Sequence, residues 1–365
     1  MAIIYYFLGF SFYFLGLLEI FLSKRKDKLF LYSIAFLILL FFVGLKINGG
    51  SDFASYHNIY DRTVVDVNAE LSSGLIEPLF VFLMLFVHFF GGNFFVFHFF
   101  VALVNFSIKI TVFKKLAPYL FPALLIYLVG LFFERDNDGI RQGFSIAFCY
   151  LSLPYLLSNR KLPYLFFNIV AFLIHYSSVI FLVSYFFPKI RLSDKKIAVF
   201  VLGALIFPFL NLSVIDIFIK FVPISAVVLK LSIYAESTVY SADMGINIGI
   251  IFRIIILFLF IYFHRSPKIS QDVYYLLRNG FAFAIILSLL FSDFEIIAHR
   301  LPYAFREFQI FIIPYFLTIA ANKANQVVIL SIIFCYSLII MSRFLNGDGA
   351  NFYLSYDNAI FHFFD

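Results

Sequence analysis

An all-α, polytopic membrane protein is the fold class this sequence predicts, and three observations predict it. Of its 365 residues, 63% are hydrophobic and only 13% charged, where soluble domains carry about 25% charged residues. The apolar residues are gathered into runs, many of them near the roughly 20 residues that a membrane-spanning helix needs. Lys and Arg are gathered into short loops between the runs, as cytoplasmic loops are.

Runs at 3–22 and 29–47 open the chain. The first ten residues, MAIIYYFLGF, lack a basic region and a small-residue cleavage site, so the first run reads as a span that stays. Further runs lie at 94–113, 119–133, 140–157, 197–210, 245–263, 273–291, 302–321 and 326–344. Two stretches fit no single span. Residues 78–90, PLFVFLMLFVHFF, are short; residues 164–187 are long for one crossing and short for two.

The basic loops decide both. SKRKDK (23–28), KK (114–115), RK (160–161), PKIRLSDKK (188–196), HRSPK (264–268) and NK (322–323) hold 15 Lys and Arg between them. All should face the cytoplasm. Only 94–113 then crosses between the outer loop and KK, so 78–90 is expected as an outer interfacial or re-entrant helix. Residues 164–187 become a short-limbed hairpin whose tip, His175-Tyr176-Ser177-Ser178, points outward. Irregular backbone at that depth needs protein or a wet cavity beside it. The count is about twelve transmembrane helices, ten plus the hairpin, with both termini outside. Ten spans plus a re-entrant loop is the alternative. A single transmembrane domain is expected over 1–365, with external segments at 48–93 and 211–244 and an external tail at 345–365.

Several function classes fall away. Cys149 and Cys335 both sit in apolar runs and read as small buried residues, with no metal or disulfide spacing. The net charge of +6 is accounted for by the basic loops, so no nucleic-acid partner is expected. Walker A, HExxH, GxSxG and CxxC motifs are missing, which removes ATP hydrolysis, zinc proteolysis and serine hydrolysis. No metal or cofactor is called for.

The polar chemistry is lopsided. Seventeen of the 21 acidic residues fall on the expected outer side, and four stretches there hold the candidates. In NGGSDFASYHNIYDR (48–62), Asp52, Tyr56 and Tyr60 follow helical spacing on one face, and Gly49-Gly50 permits a tight turn. Ser51 or Asp52 is equally suited to cap a solvated helix. In ERDNDGIRQG (134–143), Arg135 stands at the outer end of a span and Arg141 about one turn inside the next helix. An ionisable residue there is a functional candidate, or else it snorkels to the interface. His175 stands at the hairpin tip; a lone His in an apolar run is more often structural. In DFEIIAHRLPYAFREFQ (293–309), Arg300 and Arg306 flank a helix start at Pro302, a good anion site or an interfacial ion pair. Arginines clamp phosphate bidentately, and aromatics and carboxylates suit sugars. Together these residues point to a lipid-linked phosphosugar at the outer leaflet; a transporter of an anionic substrate would look similar.

GGSDFASYHNIYD, GLIEPLFVFLMLFVHFFGGNFFVF, DGIRQGFSIAFCYLSL and KLPYLFFNIVAFLIHYSSVIFLVSYFF, in that order and spacing, resemble the EpsG-like family of bacterial polysaccharide polymerases, which includes O-antigen polymerases of the Wzy type. The resemblance runs from about 44 to 190 and continues more loosely through Arg300–Pro314 and NFYLSYDNAIF. It implies an inner-membrane glycosyltransferase working on the periplasmic side. Its partners would be undecaprenyl-pyrophosphate-linked oligosaccharide, membrane lipid and a chain-length regulator. On that reading transfer inverts the anomeric centre. Asp52 or His175 accepts the hydroxyl proton; Arg141, Arg300 and Arg306 hold the pyrophosphate; Glu77, Tyr56, Tyr60 and Arg135 shape the sugar subsites. The chain departs from the pattern in having no second acid beside Asp52. A flippase or exporter of the same lipid-linked glycan, an O-antigen ligase, and a non-catalytic assembly subunit are the alternatives.

Overall fold

A computed structural model describes residues 2–210, 245–263, 269–292, 294–347 and 350–363. The expected external segment 211–244 lies outside the described residues. The described chain is nearly all helix, and its one sheet has two short strands. Five described helices are long and apolar enough to cross a membrane: α1 (Ala2–Phe21), α2 (Arg25–Gly44), α6 (Phe94–Leu116), α12 (Gln271–Leu290) and α16 (Lys323–Asn346). This is an all-α membrane protein. Such helices are apolar all round, so packing alone selects the buried side. In α1, Tyr5, Leu8, Phe12 and Leu15 are buried, while Phe7, Phe10, Phe14 and Phe21 remain exposed, as hydrocarbon permits.

The chain divides into two compact units, 1–179 with 313–365, and 180–312. In the first, α1 packs on α7 (Leu120–Tyr127) and α16, α2 packs on α6, and α6 packs on α8 (Ile140–Leu157), which carries α9 (Lys161–Ile174). Buried Glu19, near the end of α1, accepts the backbone N–H groups of Leu120 and Phe121 at 2.9 and 3.0 Å and the Tyr32 hydroxyl at 2.6 Å. A carboxylate thus closes the start of α7. Lys323 donates to the Phe21 carbonyl and Gln326 to the Tyr119 hydroxyl. The loops around 22, 117 and 322 therefore gather at one end. The opposite end holds β1 (Lys46–Asn48), α3 (Phe53–Val65), α4 (Val67–Ser73), α5 (Pro78–Phe89), α17 (Ala350–Leu354) and β2 (Asp357–Asn358), with β1 and β2 antiparallel.

The second unit contains α10 (Asp194–Ala204), α11 (Ile248–Phe263), α12, α13 (Glu295–Arg300), α14 (Tyr303–Arg306) and α15 (Gln309–Ile312). Helices α10 and α11 both pack on α12.

Three expectations are corrected. The run 119–133 is not one α-helix: α7 passes into a π-helical segment, Leu128–Asp136, which displaces the backbone register just before the polar residues. The run 302–321 is broken into α14, α15 and a 3₁₀ stretch at Ile313–Ile319, because buried Arg306, Glu307 and Gln309 are paired side by side and Pro314 follows. Cys335 is exposed while Cys149 is buried; α16 turns that side outward. Elsewhere, 78–90 forms a 12-residue helix with Pro78 in its first turn. The helix over 161–174 stops at His175, and a 3₁₀ segment, Tyr176–Phe186, follows.

Candidate active site

The opening loop is threaded through a narrow gap. Gly49 and Gly50 have φ of +112° and +91°, a region that side chains disfavour. A Cβ on Gly49 would stand 2.7 Å from Tyr356 Cα, and one on Gly50 would stand 2.7 Å from Asp138 Oδ1. The Gly50 N–H donates to the Phe352 carbonyl at 2.8 Å. The C-terminal tail therefore straps the loop from one side and the 137–138 turn holds it from the other.

Asp138 is the hub of that contact. It accepts the Asp52 N–H at 2.8 Å, the Ser51 hydroxyl at 2.7 Å and the Tyr353 hydroxyl at 3.0 Å. Burial and then Asp138 push the Tyr353 phenol well above its ordinary range. Buried Lys46 donates to the Asn137 carbonyl. Burial lowers its pKa to about 8, with Asp138 and Asp52 opposing. Asp52 itself stands exposed at the start of α3, without a side-chain cap bond.

Glu77 precedes Pro78 at the start of α5, but its carboxylate makes no cap there. Instead it is 1% exposed and joins two distant segments. Arg141 Nη1 donates to Oε2 at 2.7 Å, and His175 Nδ1 lies 3.0 Å from Oε1. The Tyr176 N–H also donates to Oε1, at 3.4 Å. Burial alone would raise the Glu77 pKa; the His175 hydrogen bond and charge, with Arg141, overcome this and hold it at about 2. The carboxylate is thus ionised, and it orients an imidazole and a guanidinium together.

Local structure explains why those partners arrive. Arg141 is the second residue of α8. Gly143, one turn's edge further on, packs against the end of the π-helical segment, where a Cβ would stand 2.9 Å from the Arg135 carbonyl carbon. His175 is the residue at which α9 ends. Ser145 donates to the Ala171 carbonyl at 3.0 Å, pinning α8 to α9 beneath the site. An apolar cluster including Phe53, Tyr56, Tyr60, Phe80, Ile140 and Ile174 packs these helices together.

Arg141 also donates to the Leu75 carbonyl at 3.2 Å and lies 5.8 Å from the Tyr56 ring. Its Nε–H is buried and has no partner among the described residues. The Tyr56 hydroxyl is a further hydrogen-bond partner of the guanidinium. Arg135 stays beside Glu134, 3.8 Å between Nη2 and Oε2.

The first unit thus holds Asp52, Tyr56, Tyr60, Glu77, Arg135, Arg141 and His175. Of these it unites Glu77, Arg141 and His175 directly, with Tyr56 beneath the arginine. Tyr60 is buried and its hydroxyl donates to the Gly92 carbonyl at 2.7 Å, so it packs rather than stacking on a sugar. Arg300 and Arg306 belong to the second unit. Arg300 ends α13. Arg306 is buried, bonded through Nε to Glu307 at 2.9 Å and lying 3.9 Å from the Tyr303 ring.

Sequence reasoning missed three participants. Asp138 was one acid among several in its segment. Lys46 looked like the end of a span. Tyr353 lies 215 residues from Asp138, and no local pattern announces it. It also missed a buried ion pair within the bundle, Lys109 with Asp136, which the Tyr127 hydroxyl completes.

No curated protein and no solved structure matches the chain. The model of the EpsG family matches residues 29–358, nearly the whole sequence and every residue of the cluster around Glu77. The chain belongs to the EpsG family.

Proposed function

We propose that this protein is a polysaccharide polymerase, an inverting membrane glycosyltransferase that joins undecaprenyl-pyrophosphate-linked repeat units at the periplasmic face. One observation carries the reading: a single buried carboxylate, Glu77, holds Arg141 on one oxygen and His175 on the other. Such a carboxylate fixes the imidazole tautomer, with Nδ1–H toward the acid and the basic lone pair on Nε2.

In the proposed step, a hydroxyl of the incoming unit attacks the anomeric carbon of the growing chain. The new bond is from that hydroxyl oxygen to the anomeric carbon; the bond that breaks joins the anomeric carbon to pyrophosphate. His175 takes the hydroxyl proton. Arg141 stabilises the charge that develops on the departing pyrophosphate. Glu77 positions both groups and does not contact sugar. Tyr56 and Arg135 border the sugar. Asp52, poised on Asp138, is the other proton acceptor to be tested. About twelve spans, with the Glu77 cluster on the outer side, complete the arrangement, and a chain-length regulator is the expected protein partner.

Deletion and rescue in the native host test the class. The prediction is that deletion leaves single repeat units on the surface and that the wild-type gene restores the ladder. Loss of even the single unit would place the protein at export or ligation instead. Rescue by Asp52→Asn with failure of His175→Ala assigns the base to His175; the reverse assigns it to Asp52.

A further inference from the structure

We propose that the basic end of the second unit binds the phosphate of an anionic phospholipid headgroup. A cavity of about 340 Å³ opens there, where the segment 191–194 meets the first two turns of α12. It lies apart from the Glu77 cluster in sequence and unit, and the proposal does not rest on the glycosyl-transfer reading.

The floor of the cavity is a fixed cation. Arg278 is 1% exposed, and its guanidinium lies 4.9 Å from the Tyr275 ring and 5.3 Å from the Tyr274 ring. Nε and Nη2 bond Asn279 Oδ1 at 3.0 and 2.7 Å, and Nη1 bonds Asp194. Asn279 in turn donates to the Phe187 and Ile190 carbonyls, both at 2.8 Å, which fixes the basic segment over α12. Among the described residues, the one acid lining the cavity is Asp194, which is occupied by Arg278 and by the Tyr274 hydroxyl at 2.8 Å. Asp194 and Arg278 therefore offset each other, and the attraction for an anion comes from Arg191 and the two helix starts.

The rim is a cation that can be recruited. Arg191 is exposed and stands 3.6 Å from equally exposed Asp272, a kind of pair that contributes little. Its guanidinium lies 5.6 Å from the Tyr275 ring. A phosphate offering two oxygens replaces that contact with a bidentate one. Helices of 11 and 20 residues, α10 and α12, both begin at this cavity, adding the positive ends of their dipoles. Segments 188–196 and 271–278 carry five Lys and Arg against two Asp.

The neighbouring surface argues for a lipid as the source of the phosphate. From the cavity wall at Asp194, α10 runs on with Val199, Phe200 and Leu202 exposed, an apolar face along which acyl chains can lie. A polar pocket at the foot of such a face matches a headgroup at the membrane surface.

The test uses the purified full chain and native mass spectrometry, with phosphatidylglycerol and phosphatidylcholine as probes. The expected result is preferential retention of phosphatidylglycerol, weakened about tenfold by Arg191→Ala and less by Arg191→Lys. Arg191 is chosen because it is exposed; replacing buried Arg278 threatens the fold. Lys26→Ala, in a different basic loop, should leave retention unchanged. Equal retention of the two lipids overturns the proposal, as does equal weakening by Lys26→Ala. Thermal protection by inorganic phosphate that depends on Arg191, with no phosphatidylglycerol preference, also overturns the lipid and assigns the cavity to a soluble phosphate ester.

Discussion

Glu77 shows what a single side chain contributes and why its part was hard to read. Asp52, Arg141 and His175 stand out individually, because ionisable residues at the edge of an apolar run are costly to place there. The role of Glu77 is set by partners 64 and 98 residues away, and nothing local encodes that meeting. Its ionisation has a measurable consequence. A carboxyl held at about 2 in the fold, against an ordinary 4.5, contributes stability that is fully present above the unfolded value. That contribution, on the order of 3 kcal/mol, is lost as pH falls from about 4.5 through 2. Thermal melts of the purified protein should therefore drop over that window, and Glu77→Gln should be less stable at neutral pH and show a much smaller acid drop. Equal acid sensitivity in the two proteins would contradict the ionised pair. At Arg141, charge alone is not enough: Arg141→Lys keeps the charge and loses the fork. Polymer formation should fall about a hundredfold in Arg141→Ala and remain impaired in Arg141→Lys, measured as product formed per unit time.

At the scale of elements, long apolar helices were legible and interruptions were not. Period and hydropathy mark a span, but the π-helical segment and the breaks across 303–319 follow from pairings that buried polar groups find in three dimensions. The strap of β1, β2 and α17 over the opening loop is a further case, since a glycine pair announces a turn without naming what passes beside it. Gly49→Ala and Gly50→Ala should both disturb it, through positive φ and through contact with Tyr356 and Asp138. The expected outcome is faster hydrogen exchange over 46–52 and lower activity; unchanged exchange would show that the loop holds itself. The Lys109–Asp136 pair makes a second case. Breaking it in Lys109→Met leaves a buried charge and should cost about 3–5 kcal/mol, while the double change Lys109→Met with Asp136→Leu should recover much of that. Melting temperatures of the three proteins decide the matter, and a single variant as stable as wild type would remove the pair from the account.

For the whole molecule, fold class was the most legible property, because a chain with 13% charged residues has no soluble alternative. Part of the loop pattern is visible in the first unit, where the loops around 22, 117 and 322 gather at one end and the Glu77 cluster lies at the other. Function depends on what the cluster does with substrate, and the central claim is that this chain alone joins lipid-linked repeat units. The most direct measurement is reconstitution of the purified protein in liposomes with an undecaprenyl-pyrophosphate-linked repeat unit, reading product length on a gel. The account predicts a ladder of lengthened glycan on the lipid with wild type, and little or none with Arg141→Ala or His175→Ala. Unextended substrate with folded wild type, or an undiminished ladder with both variants, would contradict it.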